Sequence, residues 1–136
     1  AITGSVNQFG QIQPIGGVNA KIEGFYEVCK AKGLNGTQGV MIPSTNVRHL
    51  MLKPEVVEAV RDGKFHVWAI DHVDQGIELL TGVAAGEQQA DGFYPDGTVH
   101  YLVNRRLRAL TESVRQYGVP ASAETRAEDR EPAAKI

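Results

Sequence analysis

Among the side chains of this sequence that could move a proton or attack a carbonyl, Lys21 stands apart because of its neighbours. Val18, Ile22, Phe25 and Cys29 recur at i, i+4, i+7 and i+11, the spacing of one apolar helix face. A step of about 100° per residue sets Lys21 between Phe25 and Val28, inside that arc. Two accounts fit a lysine so placed. Either its stem lies along apolar surface while the ammonium reaches water, or it is a working amine. Partial burial and the positive end of the helix dipole both favour the neutral form. The second account therefore expects a partly buried Lys21 with a depressed pKa, able to take a proton from a hydroxyl.

Such a base needs an orienting group and a nucleophile. Thr3, on the strand leading into the first hairpin, is the candidate to hold the amine by a hydrogen bond, although a threonine there is equally an ordinary strand former. Ser5 and Ser44 lack a strained, glycine-flanked elbow and a helix N-terminus offering oxyanion donors, so both read as strand or turn residues. Cys29 belongs to the apolar stripe and reads as a small core hydrophobe; as the single cysteine it has no partner for an internal disulfide. His49, His66, His72 and His100 show no metal-ligand spacing with Cys29 or with paired carboxylates, so no metal is expected. Gly16-Gly17 lacks the spacing of a dinucleotide fingerprint, and no glycine-rich phosphate loop follows a strand. No cofactor is expected on this chain.

These residues must be positioned by a mixture of strands and helices. Ala1 to Val6 and Gln11 to Ile15 are β-rich runs about a turn at Gln8-Phe9-Gly10, which predicts a hairpin. The β-branched residues begin at once, so the run reads as the middle of something, with strand partners upstream. A helix is predicted over roughly 17 to 32, stopped by Gly33 as an αL cap. Gly39-Val40-Met41-Ile42-Pro43 reads as a buried strand. Asn46 is placed to cap a short helical turn over 47 to 52, and Pro54 opens a second helix whose stripe is Val56, Val57 and Val60. Lys64 to Ile70 is strand-like with Trp68 in the core, and Asp71 is placed to cap a helix through Val73, Ile77 and Leu80 to Gly82. Glycines, Pro95 and acidic residues make 83 to 97 a linker. Val99, Val103, Leu107, Leu110 and Val114 then mark a long amphipathic helix over 98 to 117, and the arginines at 105, 106 and 108 read as its solvated face or a contact to an acidic neighbour. After Gly118 periodicity is lost, and the tail reads as disordered.

Composition bounds the class. The 136 residues suffice for one core, and 42% hydrophobic with 22% charged residues is ordinary globular usage. A formal charge of −2 provides no basic field for nucleic acid or an anionic membrane. With neither a long apolar run nor a signal-peptide pattern, and with one cysteine, a soluble cytoplasmic protein is expected.

Thr3-Gly4-Ser5-Val6, then Gly10-Gln11-Ile12-Gln13-Pro14-Ile15-Gly16-Gly17-Val18-Asn19-Ala20-Lys21, resembles the proteolytic domain of the Lon family of ATP-dependent serine proteases. The resemblance continues through Gly39-Val40-Met41-Ile42-Pro43, Asn46 and Arg48 to Val73-Asp74-Gln75-Gly76-Ile77-Glu78-Leu79-Leu80-Thr81-Gly82 and weakens beyond; the whole looks most like the bacterial Lon-related branch. It implies an α/β (α+β) Lon-like fold: the C-terminal part of the proteolytic domain over 1–82, a linker and amphipathic helix over 83–118, and a polar tail over 119–136. It also implies a Ser-Lys dyad that cleaves peptides, with Lys21, the end of the Gly-Gly-x-x-x-Lys pattern, as general base and Thr3 helping to position it. The family's serine lies roughly forty residues before that lysine, which places it upstream of residue 1. An ATPase domain using ATP with magnesium is implied upstream as well, with protein substrates and a hexameric ring as partners. The alternative is a catalytically silent assembly or adaptor domain that keeps the fold for ring formation.

Overall fold

The computed structural model describes residues 1–118, and the tail read over 119–136 lies outside the described residues. At the centre is β3, Gly39–Pro43, buried at every position. An unbroken Gly-Val-Met-Ile-Pro run suits that place, because a strand covered on both faces has no solvent side to alternate toward. Along one edge it pairs in parallel with β4, His66–Ile70, from Gly39 opposite His66 to Pro43 opposite Ile70. Along the other edge lies the start of the chain. Ile2 runs parallel to Met41, whose N–H donates to the Ala1 carbonyl at 2.8 Å while Thr3 N–H donates to the Met41 carbonyl at 3.0 Å.

The predicted hairpin forms from β1, Ser5–Val6, and β2, Ile12–Gln13, in antiparallel register. It is seated across the end of β4: Ile12 N–H donates to the Asp71 carbonyl and Val73 N–H to the Gly10 carbonyl, both at 2.8 Å. Gly10 has φ +79°, and a Cβ there would run into the His72 ring, so glycine lets the turn lie against that ring.

One face of the sheet carries α1, Val18–Lys32. Val18, Ile22, Tyr26 and Cys29 are buried with Val40, Ile42, Val56, Ala59 and Phe65 in a single cluster. Spacing favoured Phe25 for that row. Tyr26 occupies it instead, edge-on to Phe65 with centroids 5.3 Å apart, and Phe25 is half-buried on the flank. The core arc turns toward Tyr26 because Phe65 and α2, Pro54–Arg61, lie on that side. Helix α2 buries Val56 and Ala59, whereas Val57 and Val60 are exposed, so the stripe read from three valines is narrower than expected. Gly33 ends α1 at φ 92° and ψ 117°, not in the αL conformation.

The opposite face is covered by α3, Val73–Thr81. Gly76 allows the approach: a Cβ on it would stand 3.1 Å from Ile2 Cδ1 and 3.6 Å from Ile70 Cδ1. The N-cap is His72, not Asp71, because the Asp71 carboxylate accepts the Ser44 hydroxyl across the strand ends. His72 Nδ1 accepts from Asp74 N–H at 3.3 Å, and Gln75 Oε1 accepts from His72 N–H at 3.1 Å. Trp68 stacks on His66 at 5.2 Å and is half-buried, outside the core expected for it.

After α3, Ala84 and Ala85 accept from Val99 and His100 N–H at 3.0 and 2.9 Å, and these bonds anchor α4, Val99–Gly118. Its predicted stripe is largely unpartnered among the described residues: Leu107, Leu110 and Val114 are 57%, 44% and 69% exposed. The chain is thus a mixed helix-and-strand fold with two small sheets. No described helix is long and apolar enough to cross a membrane.

Two outcomes follow from this packing. Ile22→Ala, which empties a fully buried site at the centre of the cluster, should cost about 2–5 kcal/mol in denaturant unfolding. The second concerns Glu55, whose carboxyl is held below its ordinary pKa by the hydrogen bond from Lys30 at 2.6 Å. A depressed carboxyl keeps its contribution above the unfolded pKa and loses it as pH falls through the folded one. Lys30→Ala should therefore move the Glu55 midpoint upward in a carbon-detected NMR titration.

Candidate functional site

Lys21 lies in the second turn of α1, and its N–H makes the helix's first hydrogen bond, to the Gly17 carbonyl at 3.1 Å. Its side chain is exposed, not partly buried as the apolar arc suggested. The reason is the rotation of the core toward Tyr26, which leaves Lys21, Phe25 and Val28 on the shoulder of the helix. Above and below it on that shoulder are Gly17 and Gly24, four before and three after. An added Cβ at either would meet nothing within 4 Å, so no side chain shades the lysine stem from those positions.

The shoulder faces the edge of the sheet. Phe25, one turn past Lys21, lines a groove of about 350 Å³ with Ala1, Gly39, Met41, Trp68 and Leu79. The edge is open: Ile2 is paired with Met41 on its inner side, and its outer backbone groups have no strand partner among the described residues. Apolar side chains stand on both sides of it, with Val28 of α1 and Leu80 of α3 50% and 62% exposed. A single-chain surface seldom leaves so apolar a rim around an unpaired strand.

The first turn of α1 sits at the C-terminal ends of the parallel strands, where open α/β sheets place their sites. Asn46 and Asn19 fix it there. Asn46, expected to cap a following turn, lies inside a 3-10 helix, Ser44–His49, and its buried side chain reaches back to Ile15. Asn19 Nδ2 donates to the His49 carbonyl at 3.0 Å, and its Oδ1 accepts from Met51 N–H at 2.9 Å. Glu23 Oε1 accepts from Lys53 N–H at 3.0 Å. Asn19 and Glu23 grip the 49–53 segment from the side of α1 away from Lys21.

Thr3 is half-buried on the edge strand at the same end of the sheet. Its N–H is bonded to Met41, but among the described residues no hydrogen bond joins its hydroxyl to the Lys21 amine. The expected Thr3–Lys21 bond is therefore not made in this chain. The two serines are engaged elsewhere. Ser5 Oγ donates to Gln13 Oε1 at 3.0 Å in the hairpin, and Ser44 Oγ donates to Asp71.

No family model matches the chain. It is 39% identical over 116 residues, 85% of its length, to a protein of Haemophilus influenzae named as a Lon protease homolog. A protein of Escherichia coli K12 with the same name is 58% identical over 80 residues, 59% of this chain. An archaeal Lon protease of Thermococcus kodakarensis is 32% identical over 79 residues, 58% of this chain. This chain is Lon-related. It spans 19%, 14% and 11% of those three relatives, so it corresponds to under a fifth of each.

Two of the three matches to Lon relatives cover 80 and 79 residues, about the length of the resemblance from Thr3 to Gly82. The structure also assembles one cluster that the sequence did not offer as a site, partly inside that stretch and partly after it. His72 Nε2 donates to the Phe9 carbonyl at 3.0 Å, and His100 Nε2 bonds Asp74 Oδ1 at 2.8 Å beside Tyr94. The cluster ties hairpin, α3 and α4 together. No sequence signal pointed to it, because its members lie 63 and 26 residues apart along the chain. Among the described residues no group of three His, Cys, Asp or Glu side chains is arranged to hold a metal.

Proposed function

We propose that this chain belongs to the peptidase unit of an ATP-dependent serine endopeptidase of the Lon type, with Lys21 as general base of a Ser-Lys dyad. The observation that carries the reading is the position of Lys21: exposed, flanked by two glycines, on the shoulder of α1 that faces the open sheet edge. An extended segment from outside this chain, added along Ile2, would cover the apolar rim and could present a serine to the amine. Covering also desolvates the lysine, and desolvation favours its neutral form.

In that assembly Lys21 Nζ takes the proton of the serine hydroxyl as the oxygen attacks the peptide carbonyl. The charged amine then gives that proton to the leaving amine, and the acyl-enzyme forms. Neutral again, Lys21 takes a proton from the water that attacks the ester and returns it to the serine oxygen as the acyl–oxygen bond breaks, releasing the acid and restoring both groups. Thr3, at the same end of the sheet, would orient the amine once the segment is in place. ATP enters this reading only through a separate ATPase unit with magnesium; Gly16-Gly17 and the other glycines of this chain have no phosphate-loop spacing, and no step above runs through it. The substrates are protein segments entering as extended chains. Self-association, with a hexameric ring as the family expectation, is supported by the unpartnered apolar stripe of α4. The cytoplasm is the compartment that fits one free cysteine.

A catalytically silent assembly domain is the second reading, favoured by the missing Thr3–Lys21 bond. Lys21→Ala in the full-length protein separates the two. Peptide cleavage should fall to background while ATP hydrolysis stays largely intact, and retained cleavage would remove the general base. The 136-residue chain alone should neither turn over a fluorogenic peptide nor react with an active-site serine reagent. A covalent adduct on Ser5 or Ser44 would show that the nucleophile lies within this chain.

A further inference from the structure

Asn46 is 3% exposed, one of few buried polar side chains among the described residues, and it makes two hydrogen bonds to a single residue. Its Oδ1 accepts from Ile15 N–H and its Nδ2 donates to the Ile15 carbonyl, both at 3.0 Å. An amide side chain offers a donor and an acceptor side by side at any pH, so it imitates the backbone of a neighbouring strand. The imitation comes where the chain needs it. Ile15 is the last residue before Gly16-Gly17, Gly17 turns in αL at φ 67°, ψ 27°, and its carbonyl receives the N–H of Lys21. Helix α1 has no side-chain cap of its own, so the glycine pair is held from the helix side by Asn19 and from the strand side by the grip on Ile15.

We propose that Asn46 is a positioning residue for Lys21: its paired bonds to Ile15 set the direction of the Gly16-Gly17 turn and with it the height and rotation of the lysine at the sheet edge. This rests on the reading of Lys21 as general base. Asn19 and Glu23 hold the helix itself to the 49–53 segment, after the glycine turn. Asn46 alone ties the residue before the turn to the end of β3, the strand beside which Thr3 lies. The amide places the amine and does not touch the reacting atoms.

The side-chain chemistry gives a test by pH. In Asn46→Asp the ionised carboxylate still accepts from Ile15 N–H but sets its second oxygen against the Ile15 carbonyl. Protonated, the same carboxyl has both an acceptor and an O–H donor and restores the pair. In the full-length protein, Asn46→Asp should lower kcat for a fluorogenic peptide at least tenfold at pH 8 with KM within twofold. The ratio of variant to parent kcat should rise as pH falls through the carboxyl's midpoint. Asn46→Leu should show the loss without the recovery. Hydrogen exchange of the amides from Gly16 to Ile22 should be faster in both variants at pH 8, a readout that needs no catalysis. Val56→Ala, a truncation of a fully buried side chain on α2, serves as the stability control. Unchanged exchange in Asn46→Leu, a kcat loss no larger than that of an equally destabilised Val56→Ala, or a flat pH ratio in Asn46→Asp would each overturn the inference. Loss of cleavage in Lys21→Ala beside normal Asn46 variants would overturn the positioning role alone, whereas full cleavage in Lys21→Ala would remove the base itself.

Discussion

The structure depends on β3 being a strand with no free surface. Its five residues are buried, β4 satisfies its backbone on one edge and Ala1–Thr3 on the other, and helices cover both faces. A buried strand must have its N–H and C=O groups paired, since each unpaired group costs about 1–3 kcal/mol. That requirement draws the first residues of the chain onto the sheet. In meeting it they move the exposed edge outward by one strand. The open edge at Ile2 is thus the consequence of closing β3, and the flank of α1 that carries Lys21 and Phe25 turns toward it because α1 packs against the same strand.

The sequence revealed the parts whose information is local. Strand β3 was legible because five consecutive apolar residues ending in proline leave few alternatives, and the spans of α1 and α3 because glycines and periodicity mark them. Its errors share a cause. Phe25 and Tyr26 are both apolar enough for the core arc, and the choice between them was made by Phe65, forty residues on. The same rotation put Lys21 on the shoulder. Asp71 and His72 are both competent caps, and the choice fell to His72 once Ser44 held the Asp71 carboxylate. In each case the local pattern allowed two neighbouring residues, and a partner distant in sequence decided.

The candidate site was legible to a different degree. Lys21 was singled out by its place in the apolar arc and Thr3 as its possible partner, the resemblance supplied the roles, and the structure puts both toward the C-terminal ends of the strands. The link between them is not made in this chain. A lysine exposed on a bare helix flank is an ordinary surface cation until something covers it. The chemistry attributed to Lys21 therefore belongs to a covered state of the edge, and the apolar rim of Val28, Ile2 and Leu80 is what such a cover would bury.

Asn46 was visible in the sequence yet assigned the wrong task. Asparagine before a helical stretch signals a cap, a role that satisfies donors a few residues away. Its actual partners are the two backbone groups of Ile15, thirty-one residues earlier, and a bond over that separation leaves no trace in local spacing. What the sequence does carry is the constraint around it. Gly16-Gly17 gives the chain freedom where it must turn, and the same freedom would let α1 swing unless the preceding residue were held. A flexible turn that must deliver a lysine to a defined place needs a rigid grip just upstream, and a buried amide bonded on both arms supplies it without adding charge to the core.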